Sequence, residues 1–73
     1  MTTQRRILLA DDHALVRAGI RALLESLPGV MVVGETGDGL EAVDSVRRDP
    51  PDAILLDITL PGLNGLDAAA RIA

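Results

Sequence analysis

No cysteine occurs in the chain, so neither a disulfide framework nor a thiolate zinc site can hold it together. No apolar run approaches the ~18 residues a bilayer span needs, and the amino terminus Met1-Thr2-Thr3-Gln4-Arg5-Arg6 leads into a short apolar run instead of a targeting segment. No membrane association and a cytoplasmic location are expected. Basic charge is scarce: the net charge is −4, which argues against the chain itself gripping a phosphate backbone, because such affinity rests on clustered cations. Aromatic residues and lysine are absent altogether. Internal repeats, low-complexity tracts and linkers are missing too, and 73 residues make one domain at most. A domain of this size buries only about 60% of its unfolded surface, so its stability is marginal.

What is present is acid at the ends of apolar runs. Ile7-Leu8-Leu9-Ala10 ends in Asp11-Asp12, and Ala53-Ile54-Leu55-Leu56 ends in Asp57. Two buried strands finishing this way bring their carboxylates together at the carboxyl edge of a parallel sheet, where open α/β sheets place their ligands. Three acids there make a site for a hard cation, with one carboxylate to spare as a nucleophile.

Helix and strand patterns alternate between those runs. Val16, Ile20, Leu23, Leu24 and Leu27 recur at helical spacing, with Arg17, Arg21 and Glu25 on the other face, and Pro28-Gly29 stops the helix. Val30-Met31-Val32-Val33, bounded by Gly29 and Gly34, reads as a short second strand. Asp38 caps a second helix by accepting the Glu41 amide, with Glu41 able to reach back, and Leu40, Val43 and Val46 form its apolar stripe. Arg47-Arg48 complement the negative end of that helix, and Asp49-Pro50-Pro51-Asp52 ends it. After Asp57 come a Pro61-Gly62 turn, Asn64 as an N-cap, and a helix beginning over residues 68–72. The order is β-α-β-α-β with the opening of a further helix, which right-handed crossovers assemble into a parallel sheet.

Several residues carry a plainer reading beside the functional one. Asp12 has the position of an ordinary helix cap, a role compatible with ligation. Gly34, Gly37 and Gly39 follow the second strand in the wrong order for a dinucleotide loop, and they read as turn and helix-entry residues. His13 has no second histidine or cysteine to share a metal with, and reads as an exposed residue of the first turn. Arg17 and Arg21 read as solvated charge on one helical face.

Taken together, Leu8-Leu9-Ala10-Asp11-Asp12-His13, Leu15-Val16-Arg17, Pro28-Gly29, Val32-Val33-Gly34-Glu35, Gly37-Asp38-Gly39, Glu41-Ala42 and Leu55-Leu56-Asp57 closely resemble the receiver domain of two-component response regulators, most of all the NarL/FixJ-like subfamily. The resemblance implies a CheY-like, flavodoxin-like doubly wound α/β sheet, of which residues 1–73 form a partial receiver ending after the third strand and the start of the third helix. It implies that Asp57 is the phospho-acceptor and takes a phosphoryl group from a sensor histidine kinase. Asp12 and Asp57 would be direct Mg2+ ligands, Asp11 a water-bridged one, and the Thr59 carbonyl the third protein ligand. The face of the first helix would belong to the kinase-docking surface. Control of transcription would run through a helix-turn-helix DNA-binding domain beyond these residues, and the chain would not be an enzyme.

The departures from that family pattern matter as much. Receivers also use a Ser or Thr after a fourth strand, and a Lys and an aromatic residue on a fifth, and this stretch has no counterpart of these. The Ile54-Leu55-Leu56 edge is therefore expected to favour a homodimer or other self-association. Two alternatives stay open: a non-catalytic split or pseudo-receiver interaction module, and an aspartyl-nucleophile phosphatase, whose family wants a second Asp where Thr59 stands.

Overall fold

The computed structural model describes residues 4–57 together with Ala70 and Arg71. Strand β1 (Arg5–Ala10) is followed by helix α1 (Ala14–Glu25), strand β2 (Val30–Thr36), helix α2 (Gly39–Arg48) and strand β3 (Ala53–Leu56). The strands form one parallel sheet in the order β2-β1-β3, so the most buried strand is central. Leu8, Leu9 and Ala10 are its buried residues.

Strand alternation sends these residues to opposite layers. Ala10 packs with Ala42 of α2, against Ile54 and Leu56. Leu9, only 1% exposed, lies on the other face with Leu55 and Ile20 of α1. One helix covers each side, as the doubly wound reading requires.

β2 runs three residues past the expected end at Val33. Its register against β1 shifts by one between Ile7 and Leu8, so that Ile7 pairs with Val32 but Leu8 with Gly34. Val33 is the extra residue of a bulge, and Gly34 lets the two backbones close up: a Cβ there would lie 3.3 Å from a Leu8 methyl. At the α1–β2 turn Gly29 takes a φ of 78°, the left-handed conformation glycine adopts without strain.

The α2 cap forms as expected, the Glu41 amide donating to the Asp38 carboxylate at 3.3 Å. Glu41 does not reach back to Asp38. Thr36 intervenes, its hydroxyl donating to the Glu41 carboxylate at 2.6 Å and accepting from the Asp38 amide at 3.2 Å. The buried residues of α2 are Gly39, Ala42 and Val43, while Leu40 faces solvent. Small residues win this face because the helix sits close to Ala10.

α1 departs furthest from its pattern. It has no buried residue; Ile20 and Leu24 are half-buried, but Leu15 is 87% and Leu23 70% exposed. Three described strands are too narrow to cover the stripe of a 12-residue helix. Below the sheet, the Asp52 amide donates to the Arg6 carbonyl at 2.8 Å and the Arg6 amide donates to the Asp52 carboxylate at 2.7 Å, while the Arg6 guanidinium pairs with Asp49 and donates to the Pro50 carbonyl at 3.1 Å. This ties the α2–β3 turn to the start of β1.

Candidate functional site

The register explains why the acids meet. Ala10 pairs with Leu56 on one side and Thr36 on the other, and each ladder continues by one bond. The Asp57 amide donates to the Ala10 carbonyl at 2.9 Å, and the Asp11 amide donates to the Thr36 carbonyl at 3.0 Å. Asp11 and Asp57 thus leave adjacent strands at the same level.

Asp11, Asp12, His13 and Asp57 each offer a ligand atom, and these atoms all lie within 4.8 Å of one another. The Asp11 side chain is 13% exposed, that of Asp57 20% and that of Asp12 34%. Asp11 turns its carboxylate back to accept the His13 amide at 2.8 Å, which closes the loop into α1. His13 therefore takes the N-cap position with no side-chain cap bond, and Asp12 does not cap the helix.

His13 is exposed, as its sequence position suggests, but it is not a bystander. Its Nδ1 lies 3.1 Å from both the Asp11 and Asp12 carboxylates and 3.6 Å from that of Asp57. The hydrogen bond to Asp11, with the charge of Asp12 behind it, raises the imidazole above its ordinary value. In its charged form the imidazole would offset part of the negative charge of the acids around it. Three converging carboxylates are the donor set of a hard, oxygen-seeking divalent ion, so Mg2+ fits these residues. Thr59 lies outside the described residues, as do the Pro61-Gly62 turn and the Asn64 cap.

Arg21 is exposed, as the helical pattern suggests, whereas Arg17 is partly covered, and both are engaged by an acid of the neighbouring strand. Arg17 donates to the Asp11 carbonyl at 2.6 Å and to Glu35 at 3.3 Å, and Arg21 bonds Glu35 at 2.6 Å and Glu25 at 2.8 Å. Glu35 was the missing clue: an acid at the end of β2, level with basic residues on the crossover helix that precedes it.

Residues 7–73 match the model of the response regulator receiver domain, and the chain belongs to that family. It is 49% identical over 67 residues to the response regulator UvrY of Escherichia coli strain K12, covering 92% of this chain and 31% of that relative. The NarL signal receiver domain from Mycobacterium tuberculosis superposes with a TM-score of 0.92 at 37% identity, over 96% of this chain and 56% of that one. A sensor histidine kinase receiver domain from Pseudomonas aeruginosa, solved with a magnesium ion coordinated in its active-site cleft, superposes with a TM-score of 0.86 at 39% identity, over 94% and 55% of the two chains. The chain therefore spans less than a third of the length of its UvrY relative. Among the described residues, no helix is long and apolar enough to cross a membrane.

Proposed function

We propose that Asp57 is the phospho-acceptor of this receiver, and that Asp11, Asp12 and Asp57, with the Thr59 carbonyl, hold the Mg2+ that the transfer requires. The observation that carries this reading is the convergence of three carboxylates from two adjacent strand ends. Such crowding of negative charge at the edge of a small core has a cost, and a bound cation offsets it.

The donor is a phosphohistidine of a sensor histidine kinase. An Asp57 carboxylate oxygen attacks phosphorus in line. The new O–P bond forms as the N–P bond breaks, and the leaving imidazole nitrogen takes that electron pair and then a proton from solvent. The product on Asp57 is an acyl phosphate. When bound, Mg2+ supplies charge neutralisation for the phosphoryl oxygens. The protein's own part is positioning: the hydrogen bond that the Asp57 amide donates to the Ala10 carbonyl fixes the nucleophile to the central strand, and the one that the His13 amide donates to the Asp11 carboxylate orients Asp11.

In this reading the chain is an acceptor, not an enzyme acting on a separate substrate. It works in the cytoplasm and passes its state to an output module elsewhere in the parent protein, for which a helix-turn-helix DNA-binding domain is the proposal. The test is incubation with acetyl phosphate and Mg2+, followed by intact mass. One phosphoryl group should appear, and it should vanish in Asp57→Asn and on chelation. Label retained by Asp57→Asn would sink the assignment, and no label on the wild type under any divalent cation would favour a pseudo-receiver.

A further inference from the structure

We propose that Arg17 is a positioning residue for the cation site, holding the peptide that carries Asp12, and that Gly37 is glycine to leave room for it. The inference rests on the reading that Asp11 and Asp12 hold a divalent cation.

The Asp11 carbonyl belongs to the planar unit joining Asp11 to Asp12, so fixing that oxygen fixes the direction in which Asp12 departs. Arg17 Nη1 donates to it at 2.6 Å. The guanidinium is itself braced, because its Nε donates to Glu35 at 3.3 Å, and the other Glu35 oxygen is taken by Arg21 at 2.6 Å. Glu35 is bonded in sequence to Thr36, whose carbonyl receives the Asp11 amide at 3.0 Å. Asp11 is thus gripped through its amide by β2 and through its carbonyl by α1, in a closed ring of contacts. Arg17 has a 22% exposed side chain on a helix with no buried residue. That degree of cover suits a bracing role better than a freely solvated one.

Gly37 supplies a second observation. A Cβ there would lie 3.0 Å from Arg17 Nη1, but at ordinary contact distances of 3.6 Å from the Asp12 Cα and 3.7 Å from the Asp11 carbonyl oxygen. Its φ is not positive, so backbone conformation does not require glycine here. The tight neighbour is the guanidinium.

Electrostatics and positioning predict opposite signs. Arg17 is a cation beside a cation site, so charge alone would make its removal tighten Mg2+ binding. Positioning makes removal weaken it, and groups that orient metal ligands commonly change affinity by about tenfold or more.

The experiment is a Mg2+ titration of the 15N-labelled full chain followed by NMR at the backbone amides of Asp11, Asp12 and Asp57, with thermal unfolding in chelator run beside it. Arg17→Gln should weaken Mg2+ about tenfold, and Arg17→Lys, which keeps the charge with a single donor head, should weaken it less. Arg21→Gln loosens only the far side of Glu35 and does not touch Asp11, so it should weaken Mg2+ less than Arg17→Gln does. Gly37→Ala should weaken Mg2+ in the wild-type background and add nothing in the Arg17→Gln background. If Arg17→Gln fails to fold, Arg17→Lys and Gly37→Ala decide the matter by the same readout. Unchanged or tighter binding in the folded Arg17 variants overturns the proposal, and so does an equal loss in Arg21→Gln. Mg2+ binding that survives Asp12→Ala would instead sink the site assignment itself.

Discussion

Replacing Asp57 by Asn should make the metal-free protein more stable while abolishing its use as an acceptor. Two unit charges about 4.8 Å apart repel by roughly 3 kcal/mol at an effective dielectric of about 20. Asp57 faces two such neighbours, but the Asp12 side chain is 34% exposed and the His13 ring lies 3.6 Å from the Asp57 carboxylate. Solvent screening and that nearby imidazole reduce the gain to about 1–2 kcal/mol. For a domain of this size each kcal/mol moves the melting temperature by about 4–8 °C. Thermal unfolding followed by far-UV circular dichroism, in chelator, should place Asp57→Asn above the wild type by at least the lower of those shifts. Adding Mg2+ at about 100 times its Kd should stabilise the wild type by about 2.7 kcal/mol and the variant by clearly less. A variant that melts below the wild type in chelator, or that gains as much from Mg2+, would refute the argument that the cluster is strained by its own charge.

Other expectations separate structure from site. Asp38→Ala should cost about 1 kcal/mol through the lost α2 cap while leaving the Mg2+ response intact, and a matching loss of Mg2+ binding would contradict the division of roles between Asp38 and Asp12. Leu9→Ala should cost about 2–5 kcal/mol in urea unfolding, since Leu9 is 1% exposed at the centre of the sheet, and a cost under about 1 kcal/mol would show that the core collapses around the gap. The 73-residue chain should self-associate through the β3 edge, where Leu55 is 44% exposed, and Leu55→Lys should shift sedimentation toward the monomer; a wild type that is already monomeric would remove that edge from consideration.

The strands and the acid cluster were legible because they depend on local pattern and equal reach. Ile7–Ala10 and Ala53–Leu56 are runs of the same length ending in Asp, and an in-register parallel pairing carries their acids to one place. Asp38 was legible because a cap is a contact over three residues. The Arg17–Glu35 and Arg21–Glu35 pairs were not, since they join residues 18 and 14 positions apart through a crossover whose register had to be known first. Exposure along α1 was likewise hidden. Helical spacing shows which residues can face a sheet, but how much sheet stands opposite them is a tertiary fact. Thr36 was missed because its hydroxyl serves two groups at once, taking the place that the simple capping box reserves for Glu41.

The bulge at Val33 connects these features. Beyond it Leu8 pairs with Gly34, Leu9 with Glu35 and Ala10 with Thr36. Side chains of paired residues in a parallel sheet share a face, so Glu35 lies with Leu9 on the α1 side and Thr36 with Ala10 on the α2 side. Were the register unshifted, Leu8 would pair with Val33 and Ala10 with Glu35, and every later side chain of β2 would exchange layers. Glu35 would then face α2, Arg17 and Arg21 would lose their shared anion, and Thr36 would no longer stand where it joins the Asp38 cap to Glu41. One inserted residue therefore sets both the brace behind the Asp11 carbonyl and the entry to the second helix. Gly34 permits it by letting Leu8 approach where a side chain would crowd it. The geometry of the acidic site thus depends on a backbone irregularity on the neighbouring strand, at a position that carries none of its ligands.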